Sequence, residues 1–210
     1  MRELRVLRPG RLAYAPACAW QEEMVTQRRA GEIPDTLVLL EHDPVVTVGR
    51  STPSGVPCAS GGELPGGLQV LETSRGGQAT YHGPGQLVGY PILDLRGLRC
   101  DLHWYMRRLE QVLIAALADL GLQAGTMPEH TGVWIGDRKV ASIGVAVRGW
   151  VTYHGFALNV DCDMAGFSAI SPCGLRREDM TRLRDLGVRV GVSEVMPAVE
   201  CAFRATFGYE

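Results

Sequence analysis

The sequence predicts an α+β fold, and three observations carry that prediction. Compact hairpin signals separate apolar runs between residues 132 and 160, one strongly amphipathic helix follows Asp101, and repeating β-α-β units are absent. At 210 residues the chain is long enough for one large domain with a real core, so a single domain over residues 1–210 is expected.

The elements follow in order. Residues 4–8 alternate and predict a first strand. Residues 16–30 read as a helix stopped by Gly31 and then Pro34. Two short strands, 37–40 and 45–48, flank a turn-like Glu-His-Asp-Pro. Residues 51–67 are rich in Pro, Gly and Ser and read as a surface loop. Residues 68–72 form a strand leading into Arg75, and 79–81 and 87–95 are extended. Asp101 then caps the helix. Leu102, Tyr105, Met106, Leu109, Val112, Leu113, Ala116, Leu117 and Leu120 share a stripe, Gly121 ends it, and Arg107, Arg108 and Glu110 fall off it. Strands at 133–135, 140–147 and 151–160 come next, with helices near 178–186 and 193–207.

Charge and composition exclude several functions. A net charge of −2 does not suggest a nucleic-acid binder. No uncharged apolar run reaches about 18 residues, so a membrane span is not expected. The N-terminus lacks an apolar run before a small-residue cleavage site, which leaves the reducing cytosol as the default location. Six cysteines at irregular separations, none in a Cys-x-x-Cys pair, fit neither a disulfide scaffold nor a zinc site. Of the 21 basic residues only Lys139 is a lysine, and Asn159 is the only asparagine. A lysine amine can be tuned to release its proton and an arginine cannot, so Lys139 is either a working base or a chance survivor on a solvated turn.

Four segments hold residues suited to chemistry. In Arg75-Gly-Gly-Gln-Ala-Thr-Tyr-His82-Gly-Pro-Gly-Gln86 the glycines allow close backbone approach to a ligand. Arg75 suits a carboxylate, a phosphate or a structural acid; His82 suits a substrate or a satisfied place in a tight loop. Lys139-Val-Ala-Ser-Ile-Gly144 opens a strand after a turn. Simple alternation puts Lys139, Ala141 and Ile143 on one face and Val140, Ser142 and Gly144 on the other, with the small residues leaving room for a ligand. His154-Gly-Phe-Ala-Leu-Asn159 combines a strand histidine with the lone asparagine. Finally, Ser171-Pro-Cys173-Gly-Leu175 sets a cysteine on a turn ahead of a polar stretch, a context that can lower a thiol pKa below about 8.5. Cys173 is the best nucleophile candidate of the six; the others sit in duller contexts, and free cysteine is most often an inert small hydrophobe.

Together, RGGQATYHGPGQL (75–87), KVASIG (139–144), YHGFALNV (153–160) and SPCGL (171–175) resemble the lipoyl(octanoyl) transferase family. The four motifs run in order over most of the chain and are specific jointly, not singly. The resemblance implies a mixed, largely antiparallel sheet flanked by helices, as in biotin and lipoate protein ligase catalytic domains. It implies octanoyl transfer from octanoyl-acyl carrier protein to a lysine of lipoyl domains, those of 2-oxoacid dehydrogenase complexes and the glycine cleavage H protein, as the first step of endogenous protein lipoylation. Cys173 would be the acylated nucleophile and Lys139 its partner. Arg75, Gly76, Gly77, Gln78, Ala79, Thr80, Tyr81 and His82, with Ser142, Ile143, Gly144, Gly155, Phe156 and Ala157, would line the acyl site; Val145 and Leu158 are further candidates for a tunnel. No cofactor, metal, nucleic acid or membrane is implied, and the location is cytoplasmic. Arg176, Arg177, Arg182 and Arg184 would either steer an acidic carrier protein or form a solvated face.

The nearest alternative is an ATP-dependent lipoate or biotin ligase on the same scaffold, which needs no cysteine. A non-catalytic carrier-binding module and a cysteine protease based on His82 or His154 are more distant.

Overall fold

The structure is a computed structural model and describes residues 2–53, 62–64, 67–128, 130–170 and 176–210. Strand β1 (Leu4–Leu12) leads into helix α1 (Tyr14–Ala30), which ends where Gly31 takes up the left-handed conformation and donates its N–H back to Arg28 and Gln27. Then follow β2 (Asp35–His42), β3 (Val45–Val48), β4 (Gly62–Leu64), β5 (Leu68–Glu72), β6 (Thr80–His82) and β7 (Gln86–Ile92). Helix α2 (Leu102–Asp119) begins where the Asp101 carboxylate accepts the Trp104 N–H at 3.0 Å. Strands β8 (Gly125–Met127), β9 (His130–Ile135), β10 (Arg138–Arg148) and β11 (Val151–Asn159) precede helix α3 (Val192–Phe207).

Seven strands form one sheet in the order β1-β2-β7-β11-β10-β9-β8, antiparallel throughout except for the β1–β2 pair. Both faces are buried. On β2, Leu37 and Leu39 pack under α2 and α3, while Val38 and Leu40 pack under α1. A second sheet, β4-β5-β3-β6, encloses a smaller core with Phe167, Met164 and Cys162. This is the expected mixed, largely antiparallel sheet flanked by helices. Among the described residues no helix is long and apolar enough to cross a membrane.

The two short strands around Glu41-His42-Asp43-Pro44 form as expected, β2 in the large sheet and β3 in the small one. Three local expectations change. The described part of the 51–67 segment contains the short strand β4. Glu110, off the apolar stripe of α2, is buried nonetheless, because its carboxylate accepts the Gly132 N–H at 3.0 Å and pairs with Arg107 at 2.6 Å. The stretch 178–186 is two short 3-10 turns, Arg177–Asp179 and Leu183–Leu186, not a helix. Between them Met180 is drawn into an extended bridge with Lys139, and the Thr181 N–H donates to the Lys139 carbonyl at 2.9 Å. Tertiary pairing overrides the local helical pattern there.

Candidate functional site

The small sheet supplies one wall of the site. Arg75 follows β5 and turns its guanidinium back over β3. Its Nη2 donates to the Thr47 carbonyl at 2.7 Å and to Thr47 Oγ1 at 2.8 Å, and its Nη1 to the Gly76 carbonyl at 3.1 Å. The Gly76 N–H in turn donates to the Val145 carbonyl on β10 at 2.9 Å, which staples this loop to the large sheet. Gly144 is what makes the approach possible, since a Cβ there would stand 2.9 Å from the Gly76 carbonyl oxygen and 3.2 Å from Arg75 Cδ.

The opposite wall is the β10–β11 pair. A bulge between Lys139 and Ala141 interrupts the β9–β10 register. Val140 and Ala141, though consecutive, both enter the core under α2 and α3, so the alternation expected from the sequence fails at this point. Lys139 instead lines the cavity with Ser142 and Gly144, and Ala141 does not. Only 4% of Lys139 is exposed. Its stem crosses Gly132, where a Cβ would meet Lys139 Cε at 2.5 Å, and its ammonium lies 5.7 Å from the Trp134 ring centroid. On β11, His154 adopts a left-handed φ of 55°, strained for a non-glycine residue, with its N–H held by Gln21 Oε1 at 2.7 Å and its Nε2 3.0 Å from Ser74 Oγ.

These walls enclose a cavity of about 450 Å³, within the range of small-molecule sites. Arg75, Gly76, Gly77, Gln78, Ala79, Thr80 and His82 line it, as do Lys139, Ser142, Ile143, Gly144, Gly155, Phe156 and Ala157. Tyr81 is turned away. It lies between Thr80 and His82 on β6, so alternation sends its ring to the other face, where it packs edge-on against Phe167. Val145 lines the cavity, whereas Leu158 is sealed in the core. Cys173 lies outside the described residues. The lining also includes Met106 from the apolar stripe of α2, and Tyr14, Tyr90 and Met180, which the sequence does not single out. Thr47, the anchor of Arg75, carries one signal: it is the only polar residue in the apolar run Val-Val-Thr-Val.

The histidines around Arg75 are held neutral. Burial pushes His82 well below the usual imidazole range, and nearby His42 and Arg75 act in the same direction. Burial also lowers His42 and His154 to about 4. His42 is fully paired, with Nδ1 2.8 Å from the Leu12 carbonyl and Nε2 2.6 Å from the Tyr90 hydroxyl. Burial thus disfavours the charged imidazolium form of both His82 and His154. Two other thiols are raised by burial, Cys18 to about 11 and Cys162 to about 12, which makes both poor nucleophiles.

A family model, the lipoyl protein ligase A/B catalytic domain, matches residues 13–204. The chain is 48% identical over 206 residues to an octanoyltransferase of Gloeobacter violaceus, covering 98% of this chain and 90% of the relative. It is 46% identical over 211 residues to an octanoyltransferase of Solibacter usitatus, covering 100% and 96%. Among solved structures it resembles a putative lipoate protein ligase of T. acidophilum with bound lipoic acid, with a TM-score of 0.80, 21% identity and coverage of 100% and 88%. A biotin protein ligase from Aquifex aeolicus in complex with biotin and ATP shares the fold at a TM-score of 0.54 and 14% identity, covering 99% and 71%.

Proposed function

The chain belongs to the lipoyl protein ligase A/B catalytic domain family, among its octanoyltransferases, and from that premise we propose that it carries octanoyl groups from acyl carrier protein to lipoyl-domain lysines through Cys173 and Lys139. The 210 residues act as one catalytic domain. The observation that carries the reading is the position of Lys139. The only lysine in the chain is buried and faces the same cavity as the Arg75–His82 loop.

The chemistry divides into two halves. The Cys173 thiolate attacks the carbonyl carbon of the octanoyl thioester; the new C–S bond forms as the bond to the carrier sulfur breaks, and the carrier leaves as a thiol. One sulfur leaving group replaces another, so no nucleotide is consumed. Lys139 takes up the thiol proton, favours the thiolate by the charge it thereby gains, and returns the proton to the departing carrier sulfur, which leaves Lys139 neutral. The ε-amine of the lipoyl-domain lysine then attacks the acyl-enzyme, the amide forms, and the Cys173 sulfur departs. Lys139 in its neutral state accepts the proton that the attacking amine sheds. An amide is far more stable than a thioester, which pulls the cycle forward. The acyl tail rests on the Ile143, Val145 and Phe156 side of the cavity.

The arginine cluster offers limited help in carrier docking. Arg176 pairs with Glu178 and Asp179, Arg182 with Asp185 and Asp161, and Arg184 with Asp161, so much of its charge is neutralised locally. The test of the proposed reaction is nucleotide dependence. Octanoyl-acyl carrier protein and apo-lipoyl domain should yield octanoylated domain with neither ATP nor Mg²⁺ present. Product that appears only from free octanoic acid with ATP would make the chain a ligase instead.

A further inference from the structure

Six buried residues form a single line of hydrogen bonds running from one wall of the cavity to the other. Arg75 Nη2 and Nε donate to Thr47 Oγ1 at 2.8 and 3.2 Å. Thr47 Oγ1 lies 3.3 Å from His82 Nε2, and His82 Nδ1 lies 2.7 Å from Gln86 Oε1. Gln86 Nε2 donates to Asn159 Oδ1 at 2.9 Å, and Asn159 Nδ2 donates to the Thr181 carbonyl at 2.9 Å. Arg75 is 7% exposed, His82 6%, and the other four 1% or less.

Each link has one permitted direction. The Thr181 carbonyl can only accept, which fixes the Asn159 amide. Gln86 Nε2 also donates to the Tyr81 carbonyl at 3.1 Å, which fixes the Gln86 amide and turns its oxygen toward His82. His82 therefore carries its proton on Nδ1 and accepts from the Thr47 hydroxyl at Nε2. Thr47 in turn accepts from a guanidinium that never loses its charge. The bonds thus run head to tail from Arg75 to Thr181, an arrangement in which each polarises the next.

The far end of this line is the backbone that holds Lys139. The Thr181 N–H donates to the Lys139 carbonyl at 2.9 Å, and Met180 bridges the same residue. That support matters because the bulge at Lys139–Ala141 disrupts the ladder to β9 beside it. Asn159 does not line the cavity, so its effect on Lys139 passes through Thr181.

We propose that Asn159 is a positioning residue for acyl transfer: through the Thr181 carbonyl it fixes the strand end that presents Lys139, in an orientation set by the hydrogen-bond line from Arg75. This rests on the octanoyl-transfer reading, so wild-type transfer from octanoyl-acyl carrier protein is measured first; absence of that transfer would sink the reading itself. The neighbouring titratable groups are Cys162, with Sγ 3.6 Å from Asn159 Oδ1, His82 beyond Gln86, and Arg182, which donates to the Cys162 carbonyl.

The decisive variants are Asn159→Asp and Asn159→Ala. In Asn159→Asp an ionised carboxylate still accepts from Gln86 but faces the Thr181 carbonyl with oxygen alone, whereas a protonated carboxyl donates its O–H to that carbonyl. At pH 8 both variants should lose roughly ten- to a hundredfold in kcat, the size of effect that follows from displacing a catalytic group by about 1 Å. KM for the octanoyl thioester should stay within about twofold, since the ground-state acyl contacts are untouched. As pH falls, the gap between wild type and Asn159→Asp should narrow while that for Asn159→Ala stays constant. Thermal melts establish that each variant is folded, and Asn159→Ser replaces Asn159→Ala if the latter is not. Wild-type kcat in the Ala or Ser variant, a loss confined to KM, or identical pH behaviour of the acidic and aliphatic variants would overturn the proposal.

Discussion

Arg75 and Lys139 are both buried basic residues facing one cavity, and they reach it from different kinds of backbone. Arg75 is clamped by its guanidinium fork, with Thr47 and the Gly76 carbonyl receiving four hydrogen bonds and neutral imidazoles close by. Lys139 is held by its backbone at a bulged strand end, while its amine reaches across a glycine to the cavity with an aromatic face nearby. The first arrangement suits a permanent charge whose geometry must not change. The second suits a group that exchanges a proton, because an amine can be tuned to release its proton and a guanidinium cannot.

The largest expected effect breaks the second arrangement while keeping its charge. Lys139→Arg should lower kcat by about 10² to 10⁴, the usual worth of a positioned proton acceptor, with little change in melting temperature. Transfer near the wild-type rate would remove Lys139 from the proton-transfer role.

Acid should strike the Arg75 end next. His42 and His154 are depressed to about 4 in the folded protein, and His82 is depressed as well. Between pH 6.5 and 4 the unfolded chain binds protons at these rings that the folded chain refuses, so stability falls as pH falls through that window. The loss should amount to several kcal/mol, seen in denaturant unfolding at about pH 7, 5.5 and 4.5, and His154→Asn should shallow the slope. A flat profile across that range would show that these rings are not held neutral by the fold.

A pair of glycine substitutions sharpens the comparison at smaller cost. Gly132 and Gly77 both have positive φ, 131° and 81°. At Gly77 the nearest atom to a new Cβ is Arg75 Nη1 at 3.6 Å, ordinary contact; at Gly132 it would collide with the Ala141 carbonyl and Lys139 Cε, both at 2.5 Å. Gly77→Ala should cost only the backbone strain, about 1 kcal/mol, while Gly132→Ala should cost about 2 to 3 kcal/mol and also depress kcat. Equal effects on stability and activity would mean that the slot over Gly132 does not shape Lys139.

What the sequence revealed about these two ends follows from the range of the forces involved. Helix α2 was legible nearly to the residue, because its apolar stripe and its Asp101 cap are both local signals. The loop around Arg75 was legible by its glycines and its resemblance, and all of its candidates except Tyr81 line the cavity. The Lys139 end was less so. Residue types marked Lys139, but alternation paired it with Ala141, which turns into the core instead, since a bulge is a pairing event between strands and leaves no period in either one. Glu110 was hidden for a similar reason: its partner is a backbone N–H 22 residues away. Met180 reads as part of a helix until Lys139 pulls it straight. Strand β8, three residues long, is too short to show a period.

The central claim is that an octanoyl group resides covalently on Cys173 in the course of transfer. Intact-mass measurement after mixing the protein with octanoyl-acyl carrier protein, with the lipoyl domain left out, tests it directly. The wild-type protein should gain one octanoyl group that hydroxylamine removes, and Cys173→Ala should gain none. An adduct that persists in Cys173→Ala, or transfer to the lipoyl domain at the wild-type rate by that variant, would contradict the account.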